Sequence, residues 1–311
     1  MRIYTYLFQF RTLLLLVTFL LCFYSWSVGG FIFRDPDTSA VSVFQKDELN
    51  DAPLEKRHSS FSANEWTYMF SNFPDGPVPE SEWNFESGNK VADYNSELQA
   101  YTARTENVRI EDGLLVIEAK KENLYGKQYT SARINTLGTF DFTYGTLEVE
   151  AMLPRGVGTW PALWMMPSNN IYNPADYGIS ETDKFHWAVN GEIDFMEAIG
   201  RIPNQIIPSA HNFNQLKGRS LYTPVRVNDA YSEFHRYGII KTPTAITFTL
   251  DGVPYATREK KSDNPLDWPH DQPYYLIINL AIGGNWAGAD GIDDESGPWQ
   301  MKVKSLSYRP L

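Results

Sequence analysis

Three carboxylates fall within six residues of the segment GEIDFMEAIG (Gly191–Gly200): Glu192, Asp194 and Glu197. Between and after them stand Ile193, Phe195, Met196, Ala198 and Ile199. A regular strand puts Glu192 and Asp194 on one face and turns Glu197, five residues from Glu192, to the other. One extra residue absorbed as a β-bulge around Phe195-Met196 returns Glu197 to the face of its partners. A helix would spread positions five apart, and the flanking glycines leave little room for one. Acids this close raise each other's pKa and weaken the strand that carries them. The chemistry that suits such a row is glycosidic hydrolysis. One carboxylate attacks the anomeric carbon, a protonated partner donates to the leaving oxygen, and the middle acid hydrogen-bonds the nucleophile. On spacing alone, a solvated acidic strand or a divalent-cation site has equal weight.

The elements that must hold this row read as strands. Asp112-Gly113 in Asn107–Lys120 and Asp251-Gly252 in Ile246–Glu259 each separate two β-branched runs, the pattern of a tight hairpin. Further strands are expected at Gly145–Met152, Ala162–Met166, Glu192–Ala198, Tyr274–Ala281 and Met301–Tyr308, with Pro and Gly between them. No segment shows sustained helical periodicity with caps. Strands without crossover helices pair antiparallel, and this many fold as two packed sheets or a barrel. The expected class is all-β, one large sandwich.

Composition narrows the partners. The chain has 311 residues, 42% apolar and 21% charged, as in an ordinary globular protein and unlike a disordered one. Its 27 basic against 38 acidic residues give a net charge of −11, a field that repels nucleic acid. Aromatic residues reach 14%, which suits a β-rich core or a surface that stacks on flat ligands. Cys22 is the single cysteine, so no disulfide, zinc cluster or thiol nucleophile is available beyond it.

Residues 1–27 read as a signal peptide or membrane anchor. Arg2 and Arg11 precede the apolar run Thr12–Phe23, and Ser25 and Ser27 offer small residues for cleavage. The uncharged stretch between Arg11 and Arg34 would span roughly 30 Å as a helix, enough for an anchor. Either way the two arginines hold the N-terminus inside, and the bulk of the chain lies outside the cytosol. Residues 28–61 read as a linker or pro-segment, with Lys56-Arg57 as a dibasic processing site or a plain charged stretch. Residues 62–311 form the folded domain.

From Tyr94 onward the chain resembles family 16 glycoside hydrolases, in particular laminarinase-like endo-β-1,3-glucanases. The likeness rests on Tyr94–Thr102 (YNSELQAYT), Thr130–Pro167, GEIDFME (Gly191–Glu197) and Gln272–Gly288, in the family's order. It implies a jelly-roll sandwich of two curved antiparallel sheets with a substrate cleft on the concave face. It implies Glu192 as nucleophile, Glu197 as general acid/base and Asp194 as the assisting carboxylate, with retention of anomeric configuration. Retention requires the two glutamates to lie roughly 5–5.5 Å apart, so the bulge and curvature must make their tips converge. Trp160, Trp164 and Trp286 match cleft tryptophans that stack on sugar rings. Trp164, inside PALWMMP, has core packing as its rival reading. Asn95 and Arg133 match positions that bond sugar hydroxyls, and His211 matches a histidine near the acid/base.

The chain also departs from the family pattern. A long run, Ser168–His186, precedes Trp187-Ala188-Val189-Asn190-Gly191 and is expected to form a loop at the cleft rim. Ile240-Lys241-Thr242 replaces an E-W-T stretch, expected as an outer-face change. Lys304 stands where many members supply an aspartate to a structural Ca²⁺, so no metal or cofactor is expected. The expected partner is a neutral β-glucan polysaccharide met by a monomer. The other readings are a silent β-glucan-recognition protein, an enzyme on another polysaccharide such as mixed-linked glucan, or a transglycosylase. A binder has no reason to bear the mutual repulsion of three retained acids.

Overall fold

The computed structural model describes residues 64–88, 95–217 and 224–311. These belong to the compact unit Lys56–Leu311. The leader and linker expected over residues 1–61 lie outside the described residues. Among the described residues, no helix is long and apolar enough to cross a membrane.

Two sheets hold most of the strands. The larger has ten strands, in the order Val253–Glu259, Ala245–Leu250, His235–Lys241, Gly145–Met152, Trp299–Pro310, Leu114–Leu124, Lys127–Ser131 and Gln99–Tyr101, with Trp66–Met69 and Val108–Glu111 off this path. The smaller has seven. It runs Ser209–His211, Glu192–Glu197, Thr159–Pro167, Tyr274–Ile282, Arg133–Asn135 and Asn84–Glu86, with Asp141–Phe142 also paired to Tyr274–Ile282. Both Asp-Gly hairpins form. Asp112 and Asp251 each have φ 53°, followed by Gly113 and Gly252 at 73° and 79°, the left-handed pair a two-residue turn requires.

One pairing departs from the antiparallel expectation: Gln99–Tyr101 runs parallel to Lys127–Ser131. Reversals at Asp112-Gly113 and Tyr125-Gly126 restore the chain's direction between them. Two short helices, Phe213–Lys217 and Gly284–Ala287, also form. Neither is long enough to show a helical period in sequence.

The core lies between the sheets and follows the strand period. Along Gly145–Met152 buried and half-buried positions alternate strictly, sending Leu147, Val149 and Ala151 inward. They join Ile193, Phe195, Leu163, Met165, Leu276, Ile278 and Leu280 from the smaller sheet. That packing fixes the smaller sheet from behind and leaves its other face to the acids.

Candidate active site

The acid strand Glu192–Glu197 sits between Thr159–Pro167 and Ser209–His211. Against Thr159–Pro167 its register is Glu197 to Ala162 and Met196 to Leu163, then Asp194 to Trp164, so Phe195 is the extra residue of a bulge. Phe195 and Met196, the two residues at the bulge, are both fully buried. Glu192 and Glu197 are half-buried on the open face, while Asp194 between them is 3% exposed. The strand begins at Gly191, with φ 79°. A Cβ there would lie 2.6 Å from the Tyr274 hydroxyl and 2.7 Å from Pro269 Cγ, so only glycine fits.

His211 lies beside the acid row, its charge felt at Glu197 and its ring against Glu192 and Asp194. His211 pairs across the ladder with Glu192, its Nε2 3.0 Å from Asp194 Oδ2 and 4.0 Å from Glu192 Oε1. Glu197 is held from the other side, where Trp160 Nε1 donates to Glu197 Oε1 at 2.9 Å. Trp160 meets Trp286 edge to face, with ring centroids 5.2 Å apart. Both indoles are half-buried. Trp164 also faces the acids, not the core. Its Nε1 donates to Asn279 Oδ1 at 2.7 Å, and the Arg133 guanidinium lies 4.5 Å above its ring. Arg133 is oriented by Glu86 at 2.9 Å. Asn95 is exposed, donates to Glu97 Oε1 and accepts from the Asn285 backbone N–H, so it docks the loop that carries Trp286.

Burial and mutual charge set the protonation of the row. Asp194 is pushed up to about 8 by burial, offset by a hydrogen bond with Glu192. Two carboxyl groups can bond this way only by sharing one proton. Glu197 also rises to about 8, by burial first and then the Asp194 charge, with His211 and the Trp160 N–H pulling it back. Glu192 is raised well above the usual carboxylate range by burial and by Asp194. The row is therefore not fully ionised at neutral pH. It can supply both a proton and a carboxylate, the pair that glycosidic cleavage needs. The facing atoms of Glu192, Asp194 and His211 lie within 4.8 Å of one another, a grouping that could also hold a cation.

Three groups of the site went unread in sequence. Asn279 bridges Trp164 and the Tyr101 hydroxyl, and its signal was an amide inside the apolar strand YYLIINLAI. Glu97 is a buried carboxylate raised by burial, bonded to Gln99 and Asn95, whose charge reaches Glu197. Trp187 lies edge-on to His211 at 6.0 Å. Lys241, expected on an outer face, is fully buried, donating to the carbonyls of Thr143 and Gln272 at 2.7 and 2.8 Å. Gln272 and Tyr274 both donate to the carbonyl of Asn190, so these buried groups pin the turn that leads into Glu192. Lys304 sits on the far side in an ion pair with Glu150.

The chain is similar to known proteins. Residues 95–303 match the model for glycosyl hydrolases family 16. A beta-glucanase from Rhodothermus marinus is 39% identical over 254 residues, covering 78% of this chain and 85% of that protein. A glucan endo-1,3-beta-glucosidase from Cryptopygus antarcticus is 32% identical over 276 residues, covering 82% of this chain and 95% of its own. The solved laminarinase from Rhodothermus marinus has TM-score 0.71 at 37% identity, covering 79% of this chain and 96% of that one. The bulged acid row, the two-sheet sandwich around it and these likenesses make the chain a glycoside hydrolase, and it belongs to glycosyl hydrolases family 16.

Proposed function

We propose that this enzyme cleaves internal β-1,3-glucosidic bonds of a neutral, laminarin-like β-glucan by double displacement. The observation that carries the reading is the Phe195 bulge, which sets Glu192, Asp194 and Glu197 on one open face. Glu192 attacks the anomeric carbon while protonated Glu197 gives its proton to the departing glycosidic oxygen. This leaves a glycosyl ester on Glu192 and an ionised Glu197. A water then loses a proton to Glu197 as its oxygen bonds the same carbon, and the ester bond to Glu192 breaks. Two inversions at one carbon return the original configuration. A Glu197 pKa near 8 keeps the acid protonated at neutral pH, as its first task requires. Asp194 shares a proton with Glu192 and steadies its charge before attack and after release.

The glucan class is supported by the names of the relatives, a beta-glucanase, a glucan endo-1,3-beta-glucosidase and a laminarinase. Trp160, Trp164 and Trp286 offer ring faces to pyranose units, and Asn95, Arg133 and His211 offer polar contacts to their hydroxyls. The reaction as written uses no metal or cofactor. The enzyme acts as a monomer outside the cytosol, released or held by an N-terminal anchor; sequencing the N-terminus of secreted protein distinguishes the two.

Glu192→Gln and Glu197→Gln are each expected to lower turnover on laminarin roughly a thousandfold or more while leaving the fold intact. An activated aryl glycoside, whose leaving group needs no proton, should restore glycosyl-enzyme formation in Glu197→Gln only. Near-normal turnover of either variant on laminarin would remove the role given to that residue. Products from laminarin and curdlan but not from lichenan or agarose fix the substrate class. Binding without release would favour a recognition protein.

A further inference from the structure

A second concavity lies beyond the edge strand Ser209–His211. The loop segment from Tyr177 to Asp183, the helix Phe213–Lys217 and Leu266 line an open surface cavity of ≈ 520 Å³. Its floor is apolar, with Ile179 and Phe213 packed on Val189 in a small cluster separate from the main core. Its walls are polar: the Ser180 and Thr182 hydroxyls lie 2.9 Å apart, and the Asp183 carboxylate is 3.0 Å from Lys217 Nζ. Tyr177 stands among these lining groups, 37% exposed. It follows Pro174 in a single 3₁₀ turn that Gly178 ends at φ 70°.

Packed side chains link this cavity to the acid row. His211 touches Asp194, Trp187 packs edge-on against His211, and Val189, two residues on, is fully buried in the cluster with Ile179 and Phe213, which line the cavity. Phe213, two residues after His211 on the same segment, is part of the cavity's lining. An aromatic ring beside hydroxyl and carboxylate groups matches a sugar, whose ring faces are apolar and whose rim is a ring of hydroxyls. The loop segment is also where this chain departs from the family pattern.

We propose that the cavity is an additional subsite for a neutral hexopyranose unit of the same polysaccharide, with Tyr177 as its stacking platform. It rests on the glucanase reading and extends it: the enzyme gains affinity from chains long enough to reach past His211. Short oligosaccharides that span only the acids gain nothing from it.

The test compares kcat/KM on laminarin with kcat/KM on a β-1,3-linked trisaccharide. Tyr177→Ala should lower the laminarin-to-trisaccharide ratio roughly five- to tenfold, the loss expected for one aromatic platform. Tyr177→Phe, which keeps the ring, should restore the ratio, and both variants should melt with the wild type. A ratio unmoved by Tyr177→Ala, or one that Tyr177→Phe fails to restore, overturns the subsite. Absence of wild-type turnover on both substrates would instead overturn the glucanase reading, and this ligand class with it.

Discussion

At the scale of single residues, the position of Glu197 depends on one donor. The Trp160 indole N–H bonds its Oε1 at 2.9 Å and favours the ionised form, against burial that favours the neutral one. Removing the donor leaves burial less opposed, so the pKa of Glu197 must rise. Trp160→Phe should therefore move the alkaline limb of kcat/KM upward by about one pH unit and reduce kcat, since the acid also loses its orientation. A pH–rate profile checks this, and a limb that stays put or moves down would show that another group sets it. The candidate residues were legible because their types are rare in such surroundings: three acids in an apolar strand, and indoles beside glycines. Their partners were less so. Trp160 and Glu197 are 37 residues apart, and Trp164 and Asn279 are 115 apart, so no local pattern links them.

Among the elements, strand type and hairpin position followed from alternation and turn chemistry, and the bulge followed from the demand that three acids share a face. Two features did not. The ladder partners of His211 were not read, because the register of Ser209–His211 against the acid strand is set by an intervening loop. Lys241 was misplaced by its type. Alternation along His235–Lys241 puts it on the inward face with Tyr237 and Ile239, where the carbonyls of two distant loops accept its ammonium donors. Burial lowers its pKa to about 7. The same buried cluster presses on Gly191, where the acid strand begins. Gly191→Ala adds a Cβ at positive φ into the Tyr274 hydroxyl and Pro269, and should cost roughly 2–4 kcal/mol of stability. Because the strand is displaced at its start, kcat should fall more than KM changes. Thermal melting with steady-state kinetics on laminarin measures both. A variant with wild-type stability would show that the packing around Gly191 yields.

For the whole molecule, the acid row works against stability, and pH reveals it. Glu192, Asp194 and Glu197 have folded pKa values above those of an unfolded chain, two of them near 8. Between about pH 4.5 and 8 the folded state thus binds more protons than the unfolded one, and stability must fall as pH rises through that window. His270, held neutral by burial, and Lys241 act in the opposite direction, one group each. On the acid side, surface carboxylates such as Glu122, lowered to about 2 by Arg104, lose their contribution as pH drops below the ordinary carboxylate range. Stability should therefore peak in mild acid. Replacing Glu197 by Gln removes one raised carboxylate while keeping its shape. Glu197→Gln should therefore melt above the wild type, and its advantage should grow between pH 5 and pH 8 by about 2–4 °C. Melting temperatures of both proteins across that range decide the matter. An advantage that shrinks with rising pH would mean that Glu197 is stabilised as a carboxylate in the fold, which is incompatible with its service as the proton donor.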